Sequence, residues 1–216
     1  MDYGVHLPLI SLKGQRHWSL QGLLEYAEIA ERLGFRTISA NDHLIFPRPW
    51  LDGPTALAAV LASTGQMALA TTVALPIVRR PVALAKSLAA IDLLSGGRLV
   101  GVGPGSSARD HAAIGISFEE RWKRLEEAVL AMRALWLREG SPFKGEFYST
   151  EGVVPEPYST QQPGPPIWIG SWGSEAGLRR TARLGDGWLL PTTPPRKGSP
   201  TPGDDSQNIY TPQARI

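Results

Sequence analysis

The sequence predicts an α/β protein with a parallel sheet, and three observations carry that prediction. Short apolar, β-branched segments alternate with segments of helical period from residue 3 to residue 190. Glycine closes the helical segments at Gly34, Gly96–Gly97 and Gly185, where its freedom at positive φ suits a helix stop. The chemically suggestive residues fall just after strand-like segments, as they do in both parallel architectures, the open doubly wound sheet and the (β/α)8 barrel.

The elements follow in order. Residues 3–9 read as a strand, and Ser19 as the N-cap of a helix with Leu20, Leu23, Leu24, Ala27 and Ala30 on its apolar face. A second strand, 37–40, delivers Asn41-Asp42-His43. Pro54 opens a helix to about residue 63, and residues 67–75 form a third strand stopped by Pro76. Residues 81–94 form a helix with Leu84, Leu88 and Ile91 on one face, followed by a short buried strand at 98–103 and the loop Gly103-Pro104-Gly105-Ser106. Ser117 and Glu120 have the spacing of a capping box. They head a long helix whose buried face reads Trp122, Leu125, Val129, Met132 and Trp136. Residues 143–148 suggest a hairpin within an irregular stretch, and 166–170 a fifth strand. Ser174 starts a helix ended by Gly185, and a sixth strand lies at 188–190. From residue 192 onward prolines and polar residues predict a disordered tail, leaving residues 1–191 as the domain.

Composition narrows the function. A net charge of +2 with no run of Lys or Arg argues against a nucleic-acid partner. No cysteine is present, which excludes disulfides, thiol catalysis and Cys-ligated metals. No apolar stretch approaches the ~20 residues of a membrane helix, and residues 1–7 do not resemble a signal peptide. A soluble, cytoplasmic protein with no membrane partner is expected. His6, His17 and His111 show no paired spacing, so no metal site is expected.

Three strand-end clusters stand out, each with a plainer reading beside it. His43 can exchange a proton near neutral pH, with the Asp42 carboxylate adjacent to influence its charge; the alternative is a strand-end cap beside a surface histidine. Gly101–Ser106 falls short of a dinucleotide fingerprint, because Ser106 occupies the third glycine position and no acidic residue closes a second strand about 20 residues on. A tight turn and a ligand loop are equally compatible with it. At Ser171-Trp172-Gly173-Ser174 a helix N-terminus offers N–H groups to a phosphate, though Ser174 as a simple cap accounts for the same residues. Trp50 and Trp172 lie in loops from which a ring can stack on a flat ligand.

Taken together, Gly-Val-His-Leu-Pro-Leu at 4–9, Leu-Gly-Phe at 33–35, Ala-Asn-Asp-His-Leu at 40–44, Asp-Leu-Leu-Ser-Gly-Gly-Arg-Leu at 92–99, Pro-Pro-Ile-Trp-Ile-Gly at 165–170 and Leu-Gly-Asp-Gly-Trp at 184–188 resemble the luciferase-like monooxygenase superfamily. Within it they are most similar to the coenzyme F420-dependent oxidoreductases. The resemblance implies a TIM (β/α)8-type barrel that binds F420, or alternatively FMN, at the C-terminal ends of its strands. It implies hydride transfer with a small organic substrate, sometimes coupled to oxygen chemistry, and a homodimer formed through barrel helices. Carried over by position, Asp42 and His43 match the acid–histidine pair after strand two, with His43 moving a proton. Thr71, Thr72 and Val73 match the strand-three segment under the ring, Gly103, Pro104, Gly105 and Ser106 the strand-four loop, and Gly173, Ser174 and Gly177 the phosphate site. About six β/α units are legible where a closed barrel has eight. The expectation is therefore an incomplete, C-terminally truncated barrel, with a non-catalytic remnant that binds cofactor weakly or not at all as the alternative to an active enzyme.

Overall fold

The structure, a computed structural model, describes residues 2–11, 18–100, 108–171 and 173–190. Six strands are described. β1 (Gly4–His6), β2 (Thr37–Ala40), β3 (Ala68–Thr71) and β4 (Leu99–Val100) form one all-parallel sheet in the order 1-2-3-4. β5 (Trp168–Gly170) and β6 (Gly187–Leu189) form a second parallel pair. Register is set by Gly4 opposite Thr37, Thr37 opposite Ala68, Leu69 opposite Leu99, and Trp168 opposite Gly187. A doubly wound sheet reverses its strand order at a switch point; this sheet runs consecutively, and of the two sequence-based architectures only the singly wound one survives. Among the described residues the two sheets do not join into a closed barrel.

Helices cross between the strands. In α1 (Leu20–Arg32), Ser19 Oγ accepts from Gly22 N at 3.0 Å, and Leu23, Ala27 and Ala30 are buried, while Leu20 remains 60% exposed. Gly34 takes φ 84° after the last turn, as its helix-stopping role requires. α2 (Gly53–Ala59) is capped by Asp52, one residue before the expected start. α4 (Pro81–Ser95) ends at left-handed Gly96, and Leu84, Leu88 and Ile91 are all buried. α6 (Arg121–Trp136) buries Leu125, Val129, Met132 and Trp136, with the Trp136 indole donating to Ala85 O at 3.0 Å. Trp122 is only half-buried, flanked by the guanidinium groups of Arg121 and Arg180. The last helix, α7 (Glu175–Leu184), begins at Ser174, whose Oγ accepts from Gly177 N.

Several expectations change. β3 ends at Thr71, not at residue 75; the chain bends through a cis Thr72–Val73 peptide. Pro76 does not stop a strand but opens a one-turn helix, α3 (Pro76–Arg79), since proline's fixed φ suits a first helical position. A six-residue helix, α5 (Ala108–Ala113), follows the glycine loop. Ser117 caps a 3₁₀ turn through Glu119 N, and Glu120 pairs with Arg124 four residues on instead of reaching back. The capping box is therefore not formed. The expected hairpin is reduced to a bridge between Lys144 and Ser149, held onto α6 because Glu127 accepts the N–H groups of Glu146, Phe147 and Tyr148.

One core unites both sheets: Ile38, Leu69 and Leu99 from the four-stranded sheet share a cluster with Ile167 and Ile169 at the strand pair, with Leu88, Met132 and Trp136 between them. The Asp92–Leu99 motif serves this assembly. Asp92, fully buried, accepts from Gln161 N at 3.0 Å and Gln161 Nε2 at 2.6 Å, and Arg98 binds Ser95 O and Thr64 Oγ1. It ties the chain before β5 to the helix before β4. No described helix is long and apolar enough to cross a membrane. The expected tail from residue 192 lies outside the described residues.

Candidate active site

The strand ends bring the candidate residues to one rim. β2 delivers Asn41, Asp42 and His43, and β3 delivers Thr71, Thr72 and Val73. A Cβ on Gly170, at the end of β5, would stand 3.0 Å from Val73 Cγ1, so the ends of β3 and β5 are in contact. Gly53 permits a second close approach: its missing Cβ would lie 2.1 Å from Asn41 O, and α2 thereby packs directly against the rim.

Asp42 and His43 do not act on one another. Asp42, 4% exposed, accepts from Arg79 Nε and Nη2, each at 2.6 Å, and from Leu75 N at 3.2 Å. Arg79 also binds Asp52, the cap of α2. Burial alone would raise the Asp52 carboxyl, but its bonds from Arg79 and Thr55 outweigh burial and hold it below its ordinary value. The hydrogen bonds it donates to Asp42 and Asp52 hold the Arg79 guanidinium protonated, its pKa raised. Asp42 thus joins α3, α2 and the β2 end in one ion-pair network.

The carboxylate that faces His43 is Asp110, 67 residues later in α5. Its Oδ2 lies 3.1 Å from His43 Nδ1, while its Oδ1 accepts from Leu44 N at 2.9 Å and Ile45 N at 2.7 Å. The adjacent Asp42, expected to influence the charge of His43, is thus not its hydrogen-bond partner. The His43 side chain is 17% exposed, with Phe46 and Trp50 at ring-centroid distances of 4.8 Å and 4.9 Å. Trp50 thus belongs to the rim, meeting His43 and Phe46 edge-on. Asp110, Phe46 and Arg79 were missed by sequence reasoning; the one local signal was the Asp110-His111 pair following the glycine loop.

His6, at the end of β1, is fixed as the neutral imidazole: Nδ1 bonds Leu7 O at 2.8 Å and Nε2 accepts from Asn41 N at 3.1 Å. Crowding of the ring by protein lowers its pKa, against a smaller opposing effect of the Leu7 carbonyl. Three buried polar atoms of this region have no hydrogen-bond partner among the described residues: Asn41 Oδ1, Trp50 Nε1 and Thr71 Oγ1. Buried polar groups are seldom left so. No group of three His, Asp or Glu residues suited to a metal occurs among the described residues.

At the second cluster, Ser174 Oγ caps α7 through Gly177 N at 3.2 Å, and Glu175 in the first turn pairs with Arg179. Gly177 is needed by the protein itself, because its Cβ would lie 2.1 Å from Ser171 Oγ. Gly173 takes φ 80° beneath the ring of Trp188, whose indole donates to Ser171 O at 2.9 Å. Gly103, Pro104, Gly105, Ser106 and Trp172 lie outside the described residues.

Comparison with known proteins follows this geometry. The sequence profile described as luciferase-like monooxygenase matches residues 4–201. An uncharacterized protein of Mycobacterium tuberculosis is 36% identical over 191 residues, covering 78% of this chain and 66% of the relative. The F420-dependent hydroxymycolic acid dehydrogenase of the same organism is 33% identical over 178 residues, covering 77% of this chain and 48% of that enzyme. A crystal structure of a monooxygenase from Streptomyces bottropensis superposes with a TM-score of 0.81 at 31% identity, covering 91% of this chain and 62% of that one. The chain spans between about half and two thirds of the length of these relatives, 48% and 66% in the two from M. tuberculosis.

Proposed function

The chain belongs to the luciferase-like monooxygenase family, and from that premise we propose that it is part of a (β/α)8-type oxidoreductase that transfers a hydride between F420 and a small organic alcohol or ketone. FMN is the alternative cofactor. The observation that carries the reading is the set of partnerless buried atoms, Asn41 Oδ1, Trp50 Nε1 and Thr71 Oγ1, at the strand ends that also hold His43. A flat heteroaromatic ring with donors and acceptors on its edge fits such a set. When bound, the deazaflavin supplies the two-electron hydride chemistry.

The protein's part is proton transfer and placement. His43 Nδ1 is engaged, so Nε2 is the atom that takes the hydroxyl proton of an alcohol as its carbon gives up a hydride, and returns it in the reverse direction. Phe46 and Trp50, in contact with each other, pack against the imidazole and limit water on it. Asp42 keeps the β2 end in place through Arg79. Thr72 and Val73 would pack against the ring of a bound cofactor, Val73 braced on Gly170. By the resemblance Gly103, Pro104, Gly105 and Ser106 would serve the cofactor side chain and Gly173 and Ser174 its phosphate, with Gly177 giving room to Ser171 beside them.

A second reading, a remnant that binds cofactor weakly or not at all, is favoured by the sheets that do not close among the described residues. Titration of the chain with F420 and separately with FMN, followed by fluorescence with circular dichroism on the same sample, separates the two. Saturable F420 binding to folded protein is expected; a folded chain that binds neither cofactor would move the assignment to the remnant. In the binding-competent protein, His43→Ala is expected to retain F420 and to slow hydride transfer by about 10²–10⁴-fold.

A further inference from the structure

The loop after β2 has little apolar burial to hold it. Leu44 and Ile45, immediately after His43, are 55% and 46% exposed, so the hydrophobic effect does not decide where their backbone lies. Polar bonds do. Both of their N–H groups converge on Asp110 Oδ1, while Oδ2 faces His43 Nδ1. The Asp110 side chain is 1% exposed, and a carboxylate taken so completely out of water is retained only where donors surround it. It sits in the first turn of α5, the end of a helix that favours negative charge.

We propose that Asp110 is the positioning residue of His43: it holds the proton on Nδ1, leaves Nε2 as the exchanging nitrogen, and locks the 43–45 backbone that carries the ring. The inference rests on the reading of His43 as the proton-transfer group. The chemistry is a choice of tautomer. A carboxylate accepts only, so the nitrogen facing it must carry the hydrogen. A solvated neutral histidine prefers the opposite tautomer, with hydrogen on Nε2, which cannot accept a proton from an alcohol. Phe46 and Trp50 constrain the ring's position but provide no acceptor for either nitrogen. Asp42 is occupied by Arg79.

The test reads the tautomer directly and needs neither cofactor nor substrate. Long-range ¹H–¹⁵N correlation spectra of the ¹⁵N-histidine-labelled chain, above the pH at which the ring is charged, distinguish the two nitrogens, with His43→Gln assigning the signal. In the parent protein His43 is expected to carry its hydrogen on Nδ1. In Asp110→Asn the amide oxygen keeps the bonds from Leu44 and Ile45, and the NH₂ turns to His43, requiring a bare Nδ1; the hydrogen is expected on Nε2. A parent protein with hydrogen on Nε2, or an unchanged tautomer in a folded Asp110→Asn, overturns the proposal. If the variant does not fold, the parent spectrum alone decides. In the F420-binding protein, Asp110→Asn is expected to lower the hydride-transfer rate by at least tenfold with F420 affinity unchanged. The tautomer switching as expected while His43→Ala leaves turnover intact would refute the role of His43 and leave the placement by Asp110 standing.

Discussion

Replacing Gly177 by alanine asks whether this glycine makes room for a bound phosphate or for the protein's own side chains. The added Cβ would stand 2.1 Å from Ser171 Oγ, 3.0 Å from Ser174 Oγ and 3.3 Å from Ser171 Cβ. Contacts that short require something to move. Ser171 is 7% exposed, its Oγ accepts from Gly173 N at 3.4 Å, and its carbonyl anchors the Trp188 indole. Its displacement would disturb the turn into α7 and the β6 contact together. Against this, alanine is favoured over glycine in a helix by about 1 kcal/mol, while overpacking of a closed site costs about 1–3 kcal/mol. A net loss of up to about 2 kcal/mol is expected, read as a lower urea midpoint at constant slope. Ser171→Gly removes Ser171 Oγ and Cβ, leaving only Ser174 Oγ at 3.0 Å. In that background Gly177→Ala should become neutral or stabilising, a coupling of about 1–2 kcal/mol in a double-mutant cycle. Absence of coupling between the two substitutions would refute the packing argument and leave ligand space as the reason for the glycine.

Two further outcomes are expected. Ser174→Ala should cost about 1 kcal/mol by loss of the cap on Gly177 N, measured by urea unfolding, and should also weaken F420 binding in the fluorescence titration; unchanged affinity would restrict Ser174 to capping. His6 is held neutral with its pKa below the ordinary 6.5, so the unfolded chain binds the extra proton. The stability His6 contributes is full above pH 6.5 and is lost as pH falls from 6.5 through the lowered folded value. The effect is small because the residue keeps solvent contact along one side. Urea midpoints for the parent should fall more steeply below pH 6.5 than those of His6→Ala, and parallel profiles would contradict the neutral-histidine reading.

The sequence signals that proved reliable were local. Ser19 and Ser174 cap the helices they were expected to cap, and Gly34 and Gly96 adopt the positive φ that ends a helix. Leu84, Leu88 and Ile91 face the core as their spacing implied. Two helices escaped detection because α3 and α5, four and six residues long, are too short for a period of 3.6 to register. The Ser117–Glu120 box failed because Glu120 had an equally local competitor in Arg124, one helical turn away.

The site was legible as a location and not as a set of contacts. Asp42 and His43 are adjacent in the chain, which invited pairing. Neighbouring side chains leaving a strand diverge, as they do along the strand itself. Here one meets Arg79 and the other meets Asp110. Gly177 was legible as a helix-start glycine; that Ser171 fills its empty side became visible only when β5 and α7 were folded against each other.

By itself the sequence determined the alternation of strand and helix, the caps and stops of the longer helices at Ser19, Gly34, Gly96 and Ser174, and that the reactive residues would emerge at strand ends. These follow from backbone preferences and hydrogen bonds acting within about one helical turn. The tertiary structure decided the consecutive strand order, the partner of His43 and the network around Arg79. Those depend on which segments, separated by 27–67 residues in the bonds named, pack together when the common core is buried. No local preference encodes that choice, because it is made by the whole set of apolar faces at once.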